Sequence, residues 1–103
     1  MADPMRIRAQ LKGDVTEVRV LMAHIMETGQ RKDATGNLVP AFHIQTVTAT
    51  WNGKPVLSAQ FGPAVSQNPV MNFSFKGGAK GDKVIVSWTD NKGEKRTDEA
   101  LIS

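Results

Sequence analysis

No cysteine occurs in the 103 residues. That excludes disulfides, thiolate nucleophiles and thiolate metal sites. It leaves the compartment open, because a disulfide-free domain is at home in either redox environment. Aromatics are sparse: four Phe, two Trp and no Tyr. Too few remain for a stacking platform that would hold single-stranded nucleic acid. No run approaches the roughly 18 apolar residues of a membrane span. The opening residues, Met-Ala-Asp-Pro-Met-Arg-Ile-Arg, contain no apolar h-region, so the chain is expected to carry no secretory signal of its own. Charge of one sign is only slightly in excess: thirteen Lys and Arg against ten Asp and Glu give +3 and a pI near 9.5. This favours acidic partners mildly and falls short of a nucleic-acid footprint.

What is present is a strand pattern. The length suits one domain spanning residues 1–103, with one core. Met5 to Lys12 alternates, with Met5, Ile7, Ala9 and Leu11 on one face and Arg6, Arg8, Gln10 and Lys12 on the other. Period two with one wet face predicts a half-buried antiparallel strand. Val15 to Ile25 is apolar on both parities, which predicts a central strand or one covered on both sides. His43 to Trp51 is rich in β-branched residues and ends at Asn52-Gly53, the strongest short hairpin signal. Lys54 to Phe61 returns, with Pro55 confined to a strand start or an edge. Val70 to Lys76 and Lys83 to Asp90 alternate again, joined by Lys76-Gly-Gly-Ala-Lys-Gly-Asp82, which reads as a hairpin turn. Glu94 to Ile102 is strongly charged and reads as a protected edge. Seven short strands without helical periodicity predict an all-β, immunoglobulin-like antiparallel sandwich. A partly open barrel is the alternative. Trp51 and Trp88 are expected in the core.

Two stretches break the alternation: Met22 to Phe42, with charges at Glu27, Arg31, Lys32 and Asp33, and Gly62 to Pro69, bracketed by prolines. Long connections in small strand-rich domains are where such scaffolds keep function. His24 and His43 flank the first stretch and could approach each other as metal ligands or a base, but no third ligand stands at suitable spacing. The glycine turn lacks the Gly-Lys-Ser/Thr ending and the following helix of a phosphate cradle. No serine has a nucleophile-elbow context. Asp98 and Glu99 are neighbours on a strand, so they point to opposite faces and cannot act as a catalytic pair. The basic stripe Arg6, Arg8, Lys12 and Arg19 has no aromatic platform beside it, so no nucleic-acid partner is expected. The residues thus describe a binding module with two special loops, not an enzyme, with no catalytic, cofactor or metal site.

Three runs then carry a resemblance: Glu27-Thr-Gly-Gln-Arg-Lys-Asp33, Phe61-Gly-Pro-Ala-Val-Ser-Gln-Asn-Pro69, and Trp88-Thr-Asp-Asn-Lys-Gly-Glu-Lys-Arg-Thr-Asp-Glu99. In this order and spacing the chain resembles the SoxZ family, one subunit of the SoxYZ carrier in thiosulfate oxidation. The resemblance implies a non-catalytic subunit in a heterodimer with SoxY, whose cysteine holds covalent sulfur intermediates while other Sox enzymes dock transiently. It also implies periplasmic localisation by co-export with SoxY. The partner surface expected from the two loops comprises Glu27, Arg31, Lys32, Asp33, Gly62, Pro63, Val65 and Asn68. An isolated chain is expected to self-associate through that face. Two other classes compete: a stand-alone module binding a small anion or protein, and a metal-dependent enzyme using His24 and His43.

Overall fold

The computed structural model describes residues 4–24, 26–27, 29–61 and 67–103. Seven strands and, among the described residues, no helix make up the chain: β1 (Arg6–Lys12), β2 (Val15–Leu21), β3 (Ile44–Trp51), β4 (Lys54–Gln60), β5 (Val70–Lys76), β6 (Lys83–Asp90) and β7 (Lys95–Leu101). They form a three-stranded sheet, β1-β2-β5, facing a four-stranded sheet, β4-β3-β6-β7, with every pair antiparallel. This is the immunoglobulin-like sandwich that the alternation predicts.

Alternation places the core. Ala9, Val18 and Val20 face inward from the first sheet, and Ile44, Val47, Ala49, Val84, Val86 and Trp88 from the second. Met22, Met26 and Ile102 fill the ends. Each fully buried aliphatic side chain contributes roughly 1.5–3 kcal/mol. Trp88 is 1% exposed and its indole Nε1 finds no acceptor among the described residues. Trp51 lies at the rim, where its Nε1 donates to Asp82 Oδ2 at 2.9 Å and its ring sits 5.3 Å from Phe75. Along one side the sheets are stitched by the C-terminus: Leu11 N donates to Ser103 O, and Ser103 N to Ala9 O, both at 3.0 Å.

Two local expectations are corrected. The second strand stops at Leu21, four residues before Ile25. As expected it is a central strand, between β1 and β5, and its outer face is wet, with Glu17 and Arg19 exposed. The glycine-rich segment after β5 is not a hairpin: β5 and β6 belong to different sheets, so it crosses between layers. Glycine is required there at Gly78, where φ is +99° and a Cβ would collide with Thr16 Oγ1. By contrast, Asn52-Gly53 forms the predicted tight hairpin, with φ of 48° and 84°. A bulge at Ala49/Thr50 accommodates Pro55 opposite Thr50.

Candidate partner-binding site

The described residues 27 and 29–42 do not wander as a coil. Their ends pair antiparallel: Glu27 N donates to Phe42 O at 2.6 Å and Phe42 N to Glu27 O at 3.0 Å. Further out, Val39 N donates to Arg31 O at 2.8 Å, and Lys32 pairs with Leu38. The segment is therefore a two-stranded arm leaving the sandwich between β2 and β3. The molecule is elongated, 54 × 20 × 18 Å with a radius of gyration of 15.5 Å. A compact domain of this length has a radius near 13 Å.

The arm tip is built on Asp33. Its Oδ1 accepts the Thr35 N–H at 2.9 Å, the Thr35 hydroxyl at 2.7 Å and the Asn37 N–H at 3.0 Å. These bonds, led by the Thr35 hydroxyl, hold the Asp33 carboxyl below its usual range. Along the arm, Arg31 Nη2 meets Glu27 Oε1 at 2.7 Å and Arg31 Nε meets Oε2 at 3.1 Å, a two-point guanidinium–carboxylate contact. That contact lowers the Glu27 carboxyl and raises Arg31. Glu27 and Arg31 thus face each other, which leaves Lys32 and the 60% exposed Leu38 to face outward.

The arm root is held by a buried knot that the sequence reading missed. His24 and Asp90 side chains are 2% and 0% exposed, with Nε2 3.2 Å from Asp90 Oδ2. Met26 N donates to His24 Nδ1 at 3.1 Å. With Nδ1 accepting, the proton belongs on Nε2, which donates to the carboxylate. Asp90 Oδ1 also accepts the Lys92 and Glu94 N–H groups at 3.0 and 2.9 Å, so the same carboxylate folds the β6–β7 turn. Around the imidazole, Phe42 lies at 4.4 Å and Trp88 stands edge-on at 5.3 Å. Lys92 Nζ sits over the Phe42 ring, 4.4 Å from its centroid. Met26 adopts a φ of +53°, and its sulfur receives the Ile44 N–H at 3.3 Å. Asn91 clips the other arm strand, donating from Nδ2 to Ala41 O at 2.8 Å and accepting the His43 N–H at 2.9 Å.

Of the expected partner residues, Glu27, Arg31, Lys32 and Asp33 share the arm. Asn68 belongs to its root: its N–H donates to His24 O at 2.8 Å and its Oδ1 accepts the His24 N–H at 3.0 Å. The structure thus joins the two irregular stretches through His24 and Asn68. Gly62, Pro63 and Val65 lie outside the described residues. His43 turns to its own strand, its Nδ1 3.0 Å from Ile44 O, while His24 is enclosed with Asp90. Among the described residues no group of three or more His, Cys, Asp or Glu side chains could hold a metal ion. One signal for the knot was legible: a carboxylate at Asp90 in an otherwise apolar inward parity.

Comparison with known folds places the chain on a shared scaffold. It is similar to hypothetical protein PH1083 from Pyrococcus horikoshii OT3, with 17% identity, a TM-score of 0.67, and 99% of this chain and 89% of that chain covered. A superoxide reductase in the oxidized state matches with 16% identity and a TM-score of 0.69 over 99% and 89%. A superoxide reductase (neelaredoxin) mutant from Archaeoglobus fulgidus matches with 20% identity and a TM-score of 0.64 over 99% and 90%. Likenesses at this identity show the fold alone. A search of curated proteins finds no match. The family model for the sulphur oxidation protein SoxZ matches residues 5–101, nearly the whole chain. With a match running from β1 to β7, the chain belongs to the SoxZ family of non-catalytic Sox subunits.

Proposed function

We propose that this chain is one half of a heterodimeric sulfur carrier. Its partner, SoxY, supplies the cysteine to which sulfur intermediates are covalently bound during thiosulfate oxidation, and the pair works in the periplasm after co-export. One observation carries the reading: a SoxZ family chain that contains no cysteine projects an ordered, exposed arm from a catalytically unequipped sandwich. Covalent attachment of sulfur requires a thiolate. A subunit without one contributes only by binding and positioning the subunit that has it.

The arm suits that task physically. Its strands are paired and its tip is turned by Asp33, so little conformational entropy remains to be lost on docking. Leu38 offers apolar contact, and Lys32 a charge free to find a carboxylate. The root couples the arm to the Asn68 segment, so both present one surface. Sox enzymes dock on the assembled pair transiently.

The test is to mix the purified chain with SoxY and measure the complex by analytical ultracentrifugation. Complex formation is expected, and Arg31→Glu with Lys32→Glu is expected to weaken it at least about tenfold. Indifference of the chain to SoxY would overturn the carrier reading. Unchanged affinity of the double variant would remove the arm from the interface.

A further inference from the structure

The outer face of the three-stranded sheet holds the molecule's charge. Arg6, Arg8, Gln10 and Lys12 of β1, Glu17 and Arg19 of β2, and Asn72, Ser74 and Lys76 of β5 all point outward and are exposed. Five cations against one carboxylate make this face +4, while the entire chain is +3. Everything else therefore sums to −1. The single carboxylate is already engaged, with Glu17 Oε2 3.1 Å from Lys12 Nζ. No carboxylate among the described residues pairs with Arg6, Arg8 or Arg19.

Register sharpens the point. Arg8 lies directly opposite Arg19, and Arg19 directly opposite Asn72. In the next row Gln10 faces Glu17, and Glu17 faces Ser74. Directly opposed like charges on a sheet face oppose folding. Here the pair lines two adjoining shallow grooves, one of 490 Å³ with Gln10, Asn72 and Ser74, the other of 400 Å³ with Arg6, Ile7 and Leu21. Gln10, Asn72 and Ser74 thus offer donors beside the guanidiniums, Glu17 in the first groove is held by Lys12, and Leu21 with the 46% exposed Val70 adds an apolar border.

We infer that this face is a second docking surface, and that its occupant is a carboxylate-rich patch on a partner protein. The distribution of charge decides the occupant. A small oxyanion would engage two guanidiniums and leave the other cations unanswered, whereas an array of Asp and Glu side chains engages all of them. Nucleic acid would look for stacking partners, and no aromatic side chain stands on the outer parity of these strands. The area fits brief contact. Three seven-residue strands about 4.8 Å apart present roughly 300 Å², well below the ~800 Å² per partner of a stable interface. Such a surface steers encounters and releases easily, with a strong dependence on salt.

This surface is separate from the arm, so its fate does not decide the SoxY assignment. The test is a ¹H–¹⁵N chemical-shift titration of the full chain with an oligo-glutamate peptide, at low salt and at about 0.15 M, where the Debye length is about 8 Å. Shifts are expected at Arg6, Arg8, Arg19 and Asn72, fading at the higher salt. Arg8→Glu is expected to weaken binding at least about tenfold while leaving the melting temperature unchanged or higher, because the new carboxylate then opposes Arg19. A surface whose arginines served only solubility would not separate those two readouts. Unchanged affinity in Arg8→Glu, or shifts centred on the arm, would overturn the inference. So would tighter binding of oligothymidylate, which would make the face a nucleic-acid site, or saturation of the same shifts by sulfate alone, which would make it a small-anion site.

Discussion

Replacing Asp90 by Ala removes one carboxylate and strands three donors. The side chain is 0% exposed and accepts from His24 Nε2 at 3.2 Å, Lys92 N at 3.0 Å and Glu94 N at 2.9 Å. The His24 N–H then sits in a dry pocket against Phe42 and Trp88, which costs about 1–3 kcal/mol. The two backbone N–H groups lie in a turn that water reaches, so each loses nearer to about 0.5–1.5 kcal/mol. The total is about 2–6 kcal/mol, against a typical stability of ~5–15 kcal/mol. For a chain of 103 residues the entropy of unfolding is roughly 0.2 kcal/mol/K, so the melting temperature should fall by about 10–30 °C. Asp90→Asn provides the control. Its amide oxygen can still serve the turn, but its NH₂ meets a donor at Nε2. His24 cannot switch tautomer without abandoning the Met26 N–H. A loss of about 2 kcal/mol is expected, from one mismatched buried contact. Thermal and urea unfolding followed by the fluorescence of Trp51 and Trp88 reads both variants. A loss below about 1 kcal/mol for Asp90→Ala would refute the assignment of His24 and Asp90 as the knot that anchors the arm.

Other perturbations separate the remaining claims. Gly78→Ala should cost about 2–4 kcal/mol, because it combines a positive φ with a clash on Thr16, whereas Gly36→Ala, at +87° in open space, should cost about 1–2 kcal/mol; calorimetry ranks them. Asn68→Ala should destabilise by about 1–2 kcal/mol, since it removes an acceptor for His24 N–H and places Ala at a φ of +50°, and equilibrium unfolding measures it. Asp98 accepts from Arg96 at two points and from Met5 N, and these bonds, Arg96 first, hold its carboxyl below the usual range. A depressed folded value means the stabilisation is present above the unfolded pKa near 4 and is lost as pH falls through the lower folded value. Asp82, held down first by the Trp51 N–H, acts in the same direction. Urea midpoints should therefore drop below about pH 4, and less steeply in Asp98→Asn. An unchanged acid limb in that variant would remove Asp98 from the account.

Legibility differed between elements for identifiable reasons. Strand β5 reads true at both ends because its alternation is unbroken and its neighbours are prolines and glycines. Strand β2 reads too long because Met22 and His24 stay buried and keep backbone hydrogen bonds, Met22 N to Pro69 O and Asn68 N to His24 O, after the regular ladder has ended. The arm charges Glu27, Arg31, Lys32 and Asp33 stand out in the sequence. That Glu27 and Arg31 satisfy each other, leaving Lys32 outward, depends on where two paired strands place their side chains. Gly77 to Asp82 reads as a hairpin because glycines report that a turn occurs and not which sheet receives the next strand.

Composition and period two are local properties, and they were sufficient for the all-β class, the seven strands and the absence of any thiol. Partnerships between residues far apart in the chain are not local. His24 meets Asp90 across 66 positions, Arg8 opposes Arg19 only in one register, and the third strand of that sheet comes from residues 70–76. A one-residue slip in register would bury the arginines and expose the valines. Burial of one apolar face in each sheet chooses the register, and only then do a hidden imidazole–carboxylate pair and an exposed basic face exist.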